Sequence, residues 1–391
     1  MRTIKKTIII AGMFLSLLPL RSNAQQYKNP VGKEFPILAW YSILPKDITP
    51  DRFRELREAG FNLSTSDFKN LEEMKAGIKA CKGTGVLQIV SCPEMDAEPE
   101  PIVKLFRHNR MTAGYFLRDE PSVKDYPALG DRFRRIAATD PKHFVYLDLF
   151  PTYAPLEALG ASTYREYVQR SVDEVGTSFI SYDHYPVTKE GLRPDYYLNL
   201  ETVASVAKEN GRPFWAFALA LEHGNWYPLP TREALRFQVF SDLAYGAQGL
   251  EYFTYWGALV GFDGRRTEVY DLVKEVNMEV QALAPVFLGA EVISVRHTGD
   301  TIPEGTCRLE SLPEPFTKVV SDGQGLVVSH FRNGDKSYLM IVNRTIDQRQ
   351  KVTAEHGPGV FRIMPDGSRI SADAYSDTLC VDPGDCLIFQ W

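Results

Sequence analysis

From residue 35 to residue 290 the chain alternates two kinds of apolar pattern. Short β-rich runs are apolar at nearly every position. Between them lie segments that are apolar only at every third or fourth residue. The first kind reads as strands covered on both faces and the second as amphipathic helices. The strand runs are Pro36–Ile43, Phe61–Ser64, Val86–Ser91, Ala113–Leu117, Phe144–Leu149, Phe179–Tyr182, Pro213–Leu219 and Leu250–Tyr255. Thr49-Pro50 opens the first helix, an N-cap with proline at the first helical position. Others are predicted over Leu71–Lys82, Tyr197–Glu209, Arg232–Tyr245 and Glu268–Leu283, and Gly83, Asn210-Gly211 and Gly246 end three of them. Eight strands alternating with helices in this length predict an α/β fold, a closed (β/α)8 TIM barrel. An open doubly wound sheet competes with it, but no GxGxxG or P-loop glycine pattern follows any strand.

After Ala290 the helical period disappears. Short alternating runs take over at Gly325–Phe331, Ser337–Asn343, Gly359–Met364 and Cys386–Trp391, separated by turns such as Asn333-Gly334, Asp366-Gly367 and Pro383-Gly384. Residues 291–391 therefore read as a small C-terminal all-β sandwich domain that packs on the barrel of residues 25–290.

The start of the chain follows neither pattern. Arg2, Lys5 and Lys6 precede an apolar run, Thr7 to Leu20, and Arg21-Ser22-Asn23-Ala24 closes it. That is a charged, apolar and small-residue sequence, the form of a cleaved signal peptide over residues 1–24. No cysteine follows the apolar run, so no lipid anchor is expected, and the product is expected to be periplasmic or secreted. Removing the segment takes four cations from 44, leaving 40 against 50 acids and a formal charge of −10. So acidic a chain is ill suited to nucleic acid or anionic lipid, and an uncharged substrate fits better. The apolar run is too short for membrane insertion. The five cysteines, Cys81, Cys92, Cys307, Cys380 and Cys386, show no metal-ligand spacing and read as mostly buried free thiols.

The chemistry gathers where the strands end, which is where a barrel carries its function. The fourth run stops on Arg118-Asp119-Glu120-Pro121, because proline lacks a backbone donor and cannot continue a central strand. A strand-end salt bridge would explain one acid there. The other strand ends add more: Trp40 and Tyr41 from the first, Asp148 from the fifth, Asp183, His184 and Tyr185 from the sixth, Glu222, His223 and Trp226 after the seventh, and Tyr255 and Trp256 from the eighth. Carboxylates with aromatics suit carbohydrate, since rings stack on sugar C–H faces while acids move protons and hold hydroxyls. His184 and His223 lack HxH or HExxH spacing, so hydrogen bonding to sugar or acid is expected of them rather than a metal, and no cofactor is implied. Glu251, five residues before Trp256, falls roughly 16 Å from the rim at ~3.3 Å per residue and reads as structural. Asp148 reads as a loop cap.

GYFLRDEP, SYDHYP, WAFALALEHG with YPLPT, and AYGAQGLEYFTYWG resemble stretches of secreted (β/α)8 glycoside hydrolases, of the broad clan A and β-galactosidase-like type of Bacteroidetes. The resemblance covers roughly residues 35–290. It implies a glycosidase whose acid/base glutamate ends strand 4 and whose nucleophile ends strand 7, hence a retaining enzyme. Glu120 matches the first position, with Asp119 where the clan has asparagine. Glu222 stands near the second, nine residues past Pro213, and Asp183 competes with it as the partner of Glu120. Trp256 matches the aromatic floor at strand 8. Arg118, Asp119, His184, Tyr185, His223, Trp226, Trp40, Tyr41 and Tyr255 complete the expected sugar contacts. Along β-strand alternation Arg118 and Glu120 share the inward face, and Asp119 faces the helices unless a bulge turns it in. Arg118 is expected to pair with an acid other than Glu120. The function read from all this is cleavage of a plant or host glycan by two carboxylates. The alternative is a catalytically silent barrel that binds glycan for an uptake system. A polysaccharide lyase is more remote, because this acidic chain shows no basic subsite.

Overall fold

The structure, a computed structural model, describes residues 26–372 and 378–391. The expected export segment, residues 1–24, and the expected new terminus at Gln25 lie outside the described residues. Eight parallel strands close a barrel: β1 Ile37–Trp40, β2 Leu63–Ser64, β3 Leu87–Val90, β4 Thr112–Arg118, β5 Phe144–Leu149, β6 Ile180–Tyr182, β7 Phe214–Leu219 and β8 Leu250–Phe253. β8 pairs with β1 in register Leu38 to Glu251, which completes the ring. The open-sheet alternative is thereby excluded.

Each strand leads to a helix on the outside: α1 Pro50–Glu58, α2 Leu71–Ala80, α3 Pro99–Phe106, α4 Tyr126–Thr139, α5 Tyr164–Arg170, α6 Tyr196–Glu209, α7 Arg232–Ala244 and α8 Glu268–Ala282. Local chemistry sets their starts. Thr49, Asn70, Thr231 and Thr267 each accept a backbone N–H of the first turn of their helix, satisfying donors that have no intrahelical partner.

Strand alternation divides the core in two. Val145, Leu147 and Leu149 of β5, Ile180 and Tyr182 of β6, and Leu250 and Tyr252 of β8 face the helices. The opposite set fills the barrel, with Leu38, Trp40, Ile89, Phe144, Tyr146, Phe179, Trp215 and Phe217. Tyr27 closes the lower end by packing edge-on against Phe179 and Trp215. Gly249 is required there, since a Cβ on it would sit 2.5 Å from the Trp215 ring.

Among the described residues nine strands follow α8: β9 Glu291–His297, β10 Phe316–Ser321, β11 Leu326–Asn333, β12 Lys336–Asn343, β13 Gln350–His356, β14 Phe361–Ile363, β15 Arg369–Ser371, β16 Leu379–Val381 and β17 Cys386–Gln390. They form a six-stranded sheet in the order β9-β11-β12-β17-β14-β15 and a three-stranded sheet β10-β13-β16. Phe316, Leu326, Val328, Leu339, Ile341, Val352 and Phe389 make the core of the sandwich. The other face of the larger sheet, through Val327, Phe331, Met340, Val342 and Ile388, joins the hydrophobic core of the barrel's helices. Arg236 of α7, almost fully buried, binds both Glu279 of α8 and Asp385 before β17. Ser329 Oγ donates to the Ala244 carbonyl at 2.6 Å.

Three sequence expectations are adjusted. β8 stops at Phe253, two residues short of Tyr255. β9, β10, β13, β15 and β16 escaped the pattern, because most of their positions are exposed or half-buried. The cysteines form no disulfide among the described residues, and Cys307 and Cys380 are exposed rather than buried. No described helix is long and apolar enough to cross a membrane.

Candidate active site

The order of groups at the end of β4 is decided by a bulge. Phe116 pairs with Tyr146 of β5, but Arg118, not Leu117, pairs with Leu147. One extra residue reverses the phase of everything after it. Arg118 therefore takes the outward phase of Leu147, is exposed, and is close enough to Arg132 on α4 to oppose its charge. Among the described residues no ion pair joins Arg118 to an acid, against expectation. Asp119 instead takes the inward phase, and its charge is felt by Glu251, Asp148 and Asp183 inside the barrel.

Glu120 then leaves the strand. Its φ is +44°, in the left-handed region that costs a non-glycine residue roughly 1–2 kcal/mol. Its N–H donates to the Asp148 carbonyl at 3.1 Å, which holds the turn. Tyr41, at the end of β1, has φ +41°. Backbone strain at two rim residues is what functional sites show, with the surrounding structure holding it in place.

Asp183 follows β6, with its N–H on the Leu149 carbonyl at 3.3 Å. Its carboxyl is hydrogen-bonded to that of Glu120. Two carboxyls can make such a contact only if they hold a proton between them. Burial pushes Asp183 well above the carboxylate range, and Glu120 and Asp119 push it further. Burial also raises Glu120, while its hydrogen bond with Asp183 opposes the rise. Asp183 is thus the firmer holder of the proton and Glu120 the readier donor. Asp119, open to solvent at the mouth, is raised to about 6 by partial desolvation among the surrounding rim groups and by Glu120.

Beneath them lies a polar cluster that sequence reading underrated. Ser181 Oγ is 2.8 Å from Asp148 and 2.6 Å from Glu251, and Tyr146 also bonds Glu251. A hydroxyl has a single proton, so one of the two carboxyls must supply the other. Burial raises both, Glu251 to about 8 and Asp148 well above the carboxylate range, where Asp183 and Asp119 push it further, so this buried pair carries the proton between its two members. Asp148 does not cap a loop; it is fully inside the barrel. Glu251 is structural as expected, yet only two residues below the end of its strand rather than five. Alternation along VYLDL and ISYD could have placed Asp148, Ser181 and Asp183 on the inner face.

Beside the acids an aromatic wall runs from the end of β6 to β8, and its Tyr185 hydroxyl is hydrogen-bonded to Asp183. The Tyr185 and Phe253 rings stack at 6.0 Å and 29°. Tyr227 meets Tyr185 edge-on at 5.8 Å, and His223 meets Phe253 at 5.9 Å. Tyr41 reaches Phe253 at 6.3 Å, while Trp40 lies under the mouth against Phe116, Tyr146 and Phe217.

Five expected residues are elsewhere. Tyr255 is buried outside the barrel against Phe61. Trp256 is buried under the Arg52 guanidinium, so Phe253 occupies the place expected of it. His184 is buried between Tyr153 and Tyr196, 3.5 Å from Asp195. Glu222 is on an exposed loop, 3.3 Å from Lys189, and Trp226 is exposed on that same loop. Among the described residues no group of three or more His, Cys, Asp or Glu is arranged to hold a metal ion.

The architecture has known counterparts. No protein-family model matches the chain, and no curated protein matches it in sequence. A family 42 β-galactosidase from G. stearothermophilus, solved as a catalytic mutant, superposes with a TM-score of 0.64 over 94% of this chain and 99% of that one, at 9% identity. The fold is that of glycoside hydrolase barrels. A family 5 glycoside hydrolase from Bacteroides vulgatus gives 0.58 over 91% of this chain and 88% of that one, at 10% identity. This chain spans 60% of the length of a β-galactosidase from Marinomonas ef1, which it matches at 0.47 over 64% of its own length and 10% identity.

Proposed function

We propose that this protein is a glycoside hydrolase with Glu120 as its general acid. The observation that carries the reading is the Glu120–Asp183 hydrogen bond at the barrel mouth. It places a proton on a carboxyl pair beside an aromatic wall. A glycosidic oxygen is a poor leaving group until it is protonated, and a carboxyl kept neutral by burial can protonate it. Asp183 then donates to the Glu120 carboxylate that forms, which stabilises it after the transfer. Phe253 and Tyr41 offer faces for a sugar ring, and the acidic balance of the mature chain, formally −10, favours a neutral oligo- or polysaccharide of plant or host origin. The charged, apolar and small-residue pattern of the first 24 residues supports export to the periplasm or beyond it.

A silent glycan-binding barrel is the second reading. It is favoured by the end of β7, where Leu219 and Ala220 are both buried and apolar and no nucleophile stands. Glu222 and Asp183 are the expected partners of Glu120. Glu222 faces Lys189, and Asp183 touches Glu120 rather than standing across from it. The deciding experiment is turnover of natural glycans by the wild type and by Glu120→Gln. Turnover that Glu120→Gln loses supports hydrolysis, whereas binding without turnover supports the silent barrel.

A further inference from the structure

Ordinary glycoside hydrolysis needs carboxyls on both sides of the anomeric carbon, about 5–5.5 Å apart for retention and about 6.5–9.5 Å apart for inversion. The rim acids here do not stand that way. Glu120 and Asp183 are in hydrogen-bond contact, closer than either geometry. Asp119 is the chain neighbour of Glu120. β4, β5 and β6 are consecutive in the barrel, so these carboxyls share one arc of the mouth.

The facing arc is apolar. β7 ends on Leu219 and Ala220, β8 on Phe253, and β1 on Trp40 and Tyr41. Glu251 belongs to β8, but it is fully buried, and Tyr146 and Ser181 hold its oxygens. A carboxyl sealed below the mouth with both oxygens engaged is no nucleophile. Beyond β2 the exposed Asp67 is near Tyr41, and it perturbs neither Glu120 nor Asp183.

Resting on the glycosidase reading, we infer that the substrate carries the nucleophile itself, as the carbonyl oxygen of a 2-acetamido group, and that the enzyme's substrates are 2-acetamido-2-deoxy-glycosides. Intramolecular attack needs no second carboxylate across the sugar. It needs an acid at the leaving oxygen and an acceptor for the amide N–H on the same side, which neighbouring Glu120 and Asp119 supply. The carbonyl oxygen forms a bond to C1 as the C1–O bond to the aglycone breaks, and the Glu120 proton goes to the departing oxygen. The ring so formed is an oxazolinium ion, its N–H held by the Asp119 carboxylate. Water then adds to C1 and gives its proton to Glu120. The C1–carbonyl oxygen bond breaks, and the acetamide is restored with the original anomeric configuration. Attack from the rear requires the acetamido and leaving groups to be trans, so β-linked gluco- and galacto-configured sugars are the substrates. Phe253, with Leu219 beside it at the end of the neighbouring β7, offers an apolar seat for the acetamide methyl.

The test offers the full-length mature protein nitrophenyl N-acetyl-β-hexosaminides and their 2-hydroxy counterparts, with β-linked oligosaccharides of each class. The expected result is turnover of the acetamido substrates alone, with a rate that falls as fluorines are added to the acetamide methyl. Asp119→Asn should lower kcat on the order of 10²-fold and remove the acidic limb of the pH profile, which a purely structural role would leave in place. Asp67→Asn should leave turnover unchanged. Glu120-dependent turnover of the 2-hydroxy glycosides, or a rate on the acetamido substrates that does not change as the methyl is fluorinated, would overturn the inference and leave the glycosidase reading standing. Loss of turnover in Asp67→Asn, with its folded structure retained by circular dichroism, would also overturn it by supplying a protein nucleophile. Turnover of neither class would sink both.

Discussion

Glu120 and Asp183 come from strands separated by β5, yet their carboxyls are hydrogen-bonded at the barrel mouth. Burial raises both carboxyls, so the acid form of the pair carries a proton on each, and the consequences of removing either member differ. Glu120→Gln retains a hydrogen-bonding amide but has no acid proton. It should fold normally and lose about 10²–10⁴-fold in turnover of a natural glycan. An activated aryl glycoside, whose leaving group needs little protonation, should lose far less. Equal losses on both substrates would show that Glu120 acts in some way other than as an acid.

The pH dependence of stability follows from several raised carboxyls, Asp119 and Glu251 among them. Asp119 moves from 3.8 to about 6 and Glu251 from 4.5 to about 8 on folding. The folded state binds these protons more tightly, so their contribution is complete below pH 4 and is lost as pH rises through 6 to 8. Asp140 and Asp195, lowered to about 2, act oppositely below pH 4. The melting temperature should therefore peak at mildly acidic pH and decline toward pH 8. Glu251→Gln, which keeps partners for Tyr146 and Ser181, should flatten that decline. An unchanged slope in thermal scans of the variant would contradict it.

The aromatic wall and the displaced aromatics can be separated kinetically. Phe253→Ala should raise KM for oligosaccharide by roughly 3- to 10-fold, as expected for losing a stacking partner worth about 0.5–1.5 kcal/mol. Trp256→Ala should lower the melting temperature, since Trp256 is buried beneath Arg52, and leave KM near the wild-type value. The reverse pattern would restore Trp256 to the sugar site.

Arg236 ties the sandwich to the barrel. Replacing it with alanine leaves Glu279 and Asp385 without their cation, and breaking a buried pair costs about 3–5 kcal/mol. Chemical denaturation should show a loss of that order. A change within about 0.5 kcal/mol would mean the two units are held by apolar contact alone.

Export is checked by mass spectrometry of the protein recovered from outside the cytoplasm. The expected mass begins at Gln25, without acylation. An intact Met1 would remove the periplasmic reading.

Much was legible along the chain. Apolar period alone gave all eight barrel strands and the break near Ala290, because burial on one or two faces leaves a mark on every residue. Pro121 marked the end of β4, and the inner carboxyls of β5 and β6 were implicit in alternation. The phase of Arg118, Asp119 and Glu120 was not, since a bulge depends on how β4 pairs with β5, and pairing leaves no local mark. Nor could the sequence say that β8 stops at Phe253, or that the acids gather on one arc while Glu222 turns to Lys189. Those facts arise from barrel closure and loop packing. They bring groups tens to hundreds of residues apart within reach, and only the folded chain determines which charges meet.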